Sequence, residues 1–247
     1  ATDELGFTST SGTGVQVVNF DNGASSNDLL LTCVLCNLNG RTDNGAVYLI
    51  QDVNAKRGIF DLNRTAGAYY NAYAGSMASD TLGSLQTSDQ GVFLVDLDNN
   101  GYTNDLIIGA SLADMNKAGT GSIYVIKDVD TKPGYFDLNK VFNFDAVWYG
   151  VIASDGLGGT TSSGHGIILA NLDNNAYAND FILSAPLADS GGTNRGAIYM
   201  VLDADKKSGL LPISNPAAYN ARWVGATNTD EIGLNRGSGQ AVQVVNM

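Results

Sequence analysis

Short apolar runs alternate with polar, glycine-rich stretches along the whole chain. Between residues 91 and 151 the runs are "GVFLV", "LIIGA", "SIYVI" and "AVWYGV". Each is short and rich in β-branched and aromatic residues, the composition of strands. No window sustains a 3.6-residue period, so no long helix is expected. The first run is apolar at nearly every position, which predicts a strand buried on both faces.

The pattern repeats. "GAVYLI" at 45–50 returns as "GSIYVI" at 121–126 and "GAIYMV" at 196–201. "SDTLG" at 79–83 returns as "SDGLG" at 154–158 and "TDEIG" at 229–233, with "TDELG" at 2–6. "GVQVVNF", "GVFLVDL", "GIILANL" and "AVQVVNM" align in the same way. A fixed period of this length marks a repeat architecture. The period of about 75 residues divides the chain into a partial unit at 1–10, units at 11–83, 84–158 and 159–233, and the start of another at 234–247.

Four strands per unit predict an all-β fold, a β-propeller of four-stranded blades. About three blades are present, fewer than the roughly 4–8 of closed propellers. The chain therefore reads as a segment of a larger propeller, with a β-solenoid as the alternative. Tyr48, Tyr124 and Tyr199 share one repeat position, and Tyr73, Trp148 and Trp223 another. A regular aromatic position points to packing between units rather than to stacking on sugars.

The order of these elements resembles the FG-GAP repeat of integrin α-subunit N-terminal domains and bacterial surface proteins. Leu82-Gly83 and Leu157-Gly158 stand at the Phe-Gly position, followed by a strand, an acidic loop and "LIIGAS" or "FILSAP". Gly109-Ala110-Ser111 and Ser184-Ala185-Pro186 take the Gly-Ala-Pro position, and the first unit diverges there, with Thr32-Cys33-Val34. The resemblance implies a seven-bladed propeller, extracellular adhesion or ligand binding, and Ca²⁺ in the loop between the first two strands of some blades.

Those loops read "NFDNGASSND", "DLDNNGYTND" and "NLDNNAYAND". Calcium takes 6–8 oxygens from carboxylates, amides, carbonyls and water. An alternating D-x-D-x-N-G turn can aim successive oxygens inward, and glycine supplies the left-handed backbone. The second loop offers Asp96, Asp98, Asn100, the Tyr102 carbonyl and Asp105, with Asn104 as the other residue that could close the cage. The third offers Asn171, Asp173, Asn175, the Tyr177 carbonyl and Asp180, with Ala176 in place of glycine. The first offers Asn19, Asp21 and Asp28, with Gly23 where Asn100 stands. The expected order of affinity is second, third, first. Without the repeat, each loop is an ordinary Asx-rich turn. A second polar turn, "DVNAKRG", "DVDTKPG" and "DADKKSG", reads as an exposed connection between strands three and four.

Charge narrows the function. Thirteen basic against 25 acidic residues give a net of −12. That opposes binding to nucleic acid, whose phosphates need a basic face, and to an anionic membrane. No run approaches the ~20 apolar residues that span a bilayer, so no direct membrane insertion is expected. The N-terminal residues show no basic and apolar signal pattern. Cys33 and Cys36 form a lone C-x-x-C without a second pair, a poor zinc site. They read as small buried residues, matching alanines in the other units, with a local disulfide as the lesser alternative. His165 is the single histidine, and no Ser-His-Asp set, nucleophile elbow or nucleotide-binding motif occurs, so no enzyme is expected.

These readings converge on an extracellular calcium-binding module for adhesion or recognition of a cell-surface protein or glycan. The resemblance implies that its ligand loops are the connections leading into the first strand, Ser84–Gln90 and Gly159–His165. The alternatives are a structural subunit of a surface filament, sheath or matrix, paired with neighbouring copies of itself, and a non-catalytic propeller beside an enzyme domain.

Overall fold

The computed structural model describes residues 5–6, 14–63, 67–84, 91–159, 166–234 and 242–245. The expected ligand loops, residues 85–90 and 160–165, and His165 lie outside them. Unit one supplies β1 (Val15–Val18), β2 (Asp28–Cys33), β3 (Ala46–Ile50) and β4 (Asn71–Ala74). Unit two supplies β5 (Val92–Val95), β6 (Asp105–Ala110), β7 (Ser122–Ile126), β8 (Gly134–Asp137) and β9 (Ala146–Tyr149). Unit three supplies β10 (Ile167–Ala170), β11 (Asp180–Ala185), β12 (Ala197–Val201), β13 (Gly209–Pro212) and β14 (Ala221–Val224). Among the described residues helix is confined to single 3₁₀ turns, such as Val129–Thr131. The fold is all-β, as the pattern predicted, and every predicted run of the second unit is a strand.

The strands form three sheets, each built on an antiparallel meander of four. Two sheets gain a fifth strand from the next unit. β8 lies parallel to β4, with Tyr73 opposite Phe136. β13 lies parallel to β9, with Trp148 opposite Leu211. Such a parallel pair needs a long crossover connection, and here the connection is most of a repeat unit. The sequence pattern did not show these strands. Each is four residues of mixed polarity whose partner lies in another unit.

The first strand of each sheet corrects one expectation. β1 alternates exposed and half-buried positions, and β5 and β10 are largely half-buried. These are edge strands, covered by a neighbour on one side only. Burial on both faces belongs instead to β6 and β7, in the middle of the second sheet. That sheet sits between the other two. One of its faces packs Ile108, Tyr124 and Val147 against Leu30, Val47 and Tyr73 of the first sheet. The other packs Ile107, Ile123 and Trp148 against Phe181, Leu183 and Tyr199 of the third. Full burial of such side chains stabilises by roughly 1.5–3 kcal/mol each.

The repeated aromatics serve this packing. Tyr48, Tyr124 and Tyr199 are buried and meet Tyr69, Phe144 and Tyr219 at 5.7, 5.5 and 5.2 Å. Tyr73 stacks on Phe136 of the next unit at 5.1 Å. Trp148 meets Phe181 edge-on and donates its Nε1–H to the Ala218 carbonyl at 2.8 Å. The glycine before each third strand has a steric cause. Gly121 has φ +76°, and a Cβ there would sit 2.3 Å from the Leu157 carbonyl oxygen.

Cys33 and Cys36 are joined in a disulfide, the lesser of the two sequence readings. Both are also buried, as expected. Their counterparts Ala110 and Ala113 pack between the first two sheets, whereas the cysteines sit on the outer face of the first sheet.

Candidate metal centre

The site is built where β5 hands over to β6. Asp105 opens β6 with its side chain fully buried. Its Oδ2 accepts the N–H groups of Leu97 at 2.8 Å and Asp98 at 3.2 Å, and its Oδ1 accepts the Asp128 N–H at 3.0 Å. One carboxylate thereby ties the acidic loop to the turn after β7. Burial pushes the Asp105 carboxyl above its ordinary range, against the pull of those backbone donors. The clasp recurs. Asp28 accepts from Phe20 and Asp52, and Asp180 accepts from Leu172, Asp173 and Asp203. Burial also raises the Asp28 carboxyl.

Around the clasp, Asp96, Asp98 and Asp105 each bring a carboxylate oxygen within 4.8 Å of the others. The backbone wraps the two outer acids. Asn100 N–H donates to Asp96 and Asp98, and Gly101 N–H to Asp96. Asn100 Oδ1 accepts the Tyr102 N–H. Gly101 is left-handed at φ +92°, as expected, and Asn99 is too, at +59°. Asn suits that region because its short side chain bonds locally.

Asn104 and Asp105 divide their roles. Asn104 is buried and turns its amide nitrogen to Asp130 at 2.7 Å, while Asp105 is the one that gathers with Asp96 and Asp98. The turn after β7 is therefore a second wall of the site rather than a bare connection. Asp128 accepts from Asn100 at 3.1 Å.

The other loops differ in their acids. In the third, Asn171 and Asp173 both accept the Asn175 N–H, and Asp180 forms the clasp. Asn171 replaces one carboxylate, so only Asp173 and Asp180 contribute charge from the predicted set. Asn175 Oδ1 accepts the Tyr177 N–H. Ala176 holds φ +85°, the left-handed backbone that Gly101 supplies in the second loop and that a Cβ strains. In the first loop Asp21 and Asp28 gather with Asp52, which sequence reasoning had left in the connecting turn. Asn19 donates to the Gly23 carbonyl at 2.9 Å, and Asp21 accepts from Gly23 and Gln51. The alignment of the two polar turns, 24 residues apart at Asp28 and Asp52, was the signal available.

Three carboxylates gathered in this way, Asp96, Asp98 and Asp105 or Asp21, Asp28 and Asp52, could hold a metal ion. Among the described residues no helix is long and apolar enough to cross a membrane. The chain matches no protein-family model and no curated protein sequence.

Proposed function

We propose that this chain is a calcium-binding β-propeller module of the FG-GAP type, working outside the cell in adhesion or ligand recognition. The observation that carries the reading is the three-carboxylate cluster at the same repeat position of the first two units, beside a buried aspartate clasp that recurs in all three. The ion's part is structural. It neutralises gathered carboxylates and stiffens the loop between the first two strands. The Cys33–Cys36 disulfide suits an oxidising compartment. Asp96, Asp98, Asn100, Asp105 and the Tyr102 carbonyl would hold the ion in the second loop. The gathering of Asp52 places the first loop beside the second in carboxylate number, ahead of the third.

Calorimetric titration with calcium and with magnesium tests this. The expected result is calcium uptake in the range of about 10⁻⁴–10⁻³ M typical of extracellular modules, with weaker magnesium binding. Asp98→Ala is expected to lower affinity at the second loop at least about tenfold. Unchanged uptake and an unchanged melting temperature would reject that site.

A further inference from the structure

Units one and two meet at a first junction, units two and three at a second. The first junction leaves a cleft of about 320 Å³, at the lower end of the roughly 300–1,000 Å³ of small-molecule sites. It lies where β1 and its acidic loop meet β5 and the loop that follows. Val18 and Leu94 supply its apolar part, and both pack on the cluster between the first two sheets. Gln16, Asn22, Ser26 and Thr103 supply its polar part. Among the described residues none of these four side chains bonds another protein group. Asn19 lines the cleft too. Its amide nitrogen is spent on the Gly23 carbonyl at 2.9 Å, and its amide oxygen is buried without a partner.

Position in the repeat separates what the fold needs from what it does not. Asn22 recurs as Asn99 and Asn174, each left-handed, so it serves the turn. Gln16 and Thr103 have no such excuse. At the second junction Phe93 stands for Gln16 and Ala178 for Thr103. There Phe93, Val95 and Leu169 all pack on the apolar cluster between the second and third sheets. The first junction thus sets an amide and a hydroxyl where the second sets an aromatic ring and a methyl group. Packing does not explain that exchange.

The lining selects its ligand by chemistry. Among the described residues it holds no charged side chain, and the net charge of −12 repels anions. Amides and hydroxyls both donate and accept hydrogen bonds. They match a neutral ligand whose own hydroxyls do both. Val18 and Leu94 match the C–H groups between those hydroxyls.

We propose that this cleft binds one ring of a neutral carbohydrate, with Gln16 and Thr103 as specificity-determining contacts. The sugar hydroxyls bond the unpaired amides and hydroxyls, and a C–H face lies against Val18 and Leu94. The inference rests on the recognition part of the reading above and names a ligand class and a place for it. That place is apart from the three-carboxylate clusters and from the loops leading into the first strands.

Saturation-transfer NMR on the whole chain tests the proposal. The probes are the methyl glycosides of glucose, galactose, mannose and N-acetylglucosamine, with glucuronate as the charged comparison. Each is titrated with calcium and again in EDTA, and binding in either condition counts. Expected is binding of at least one neutral sugar at about 1–10 mM, with glucuronate weaker. Gln16→Phe, which copies the second junction, is expected to fill the cleft and weaken that sugar at least about tenfold while the chain stays folded. Thr103→Ala is expected to weaken it about threefold, the loss of one hydrogen bond. Should Gln16→Phe unfold the chain, Thr103→Ala decides. No binding of any neutral sugar overturns the proposal. So does binding indifferent to the substitutions, or glucuronate bound as tightly as its neutral counterpart. Calcium uptake is measured without sugar, so failure here leaves the calcium reading standing, and failure of calcium binding leaves this one.

Discussion

Trp148 and Trp223 occupy the same position in consecutive units and live in opposite surroundings. Trp148 is enclosed, edge-on to Phe181, with its indole N–H on the Ala218 carbonyl. Trp223 lies half in solvent on β14, which among the described residues pairs with β12 alone. The residue type is constant, so the difference comes from whether another unit packs on the far side. Repeat proteins draw their stability from unit and interface contributions of this kind. Here one side chain reports directly whether an interface has been made.

The largest effect tests that contrast outright. Trp148→Ala is expected to destabilise by about 3–5 kcal/mol, the range for emptying a buried aromatic site. Trp223→Ala in the monomer is expected to cost under about 1 kcal/mol. Urea unfolding of both at low protein concentration measures the gap. Equal losses would mean that Trp223 is covered after all.

A middling effect compares the two closed junctions. Arg41 and Asp137 pair across the first, both about one-fifth exposed. Burial works against the Asp137 carboxylate, and Arg41 outweighs it, holding the group below its ordinary range. At the second junction Lys117 and Pro212 hold those positions, and no such pair is possible. Asp137→Ala is expected to cost about 1 kcal/mol. Pro212→Ala is expected to show no comparable electrostatic loss when the salt dependence of stability is measured.

The smallest effect is one of sign. Asp80 and Asp155 each reach into the next unit, accepting the N–H groups of Asp114 and Asp189. Burial raises both carboxyls. Asp230, their counterpart in the third unit, is lowered by the Thr227 hydroxyl and N–H. A raised carboxyl lends stability below its unfolded value and loses it as pH rises through the folded one. A lowered carboxyl lends stability above its unfolded value and loses it as pH falls through the folded one. Acidification from neutrality should therefore raise the melting temperature of the parent relative to Asp80→Asn and lower it relative to Asp230→Asn. Shifts of the same sign in both comparisons would break the contrast.

The repeat, its strands and its aromatic positions were legible because period and apolar runs are local signals. The interlocking was not. Gly134–Asp137 reads as loop, since its pairing depends on Asn71–Ala74, 63 residues upstream. Asp52 was missed for the same reason, its turn being brought to the acidic loop by the clasp of Asp28. The disulfide was the less favoured reading because alanines at the matching positions of the other units pointed to small buried residues, and a C-x-x-C spacing alone does not fix the 5.3 Å Cα separation found here.

The shared strand has one more consequence. β8 belongs to one unit by sequence and to another by pairing, and β13 does the same. Cutting the gene at a repeat boundary would leave a sheet without its outermost strand. Duplicating a whole period would not, because the inserted copy brings a strand for its predecessor and an edge for its successor. Such a chain can lengthen or shorten by whole periods over evolutionary time while every junction keeps the same construction.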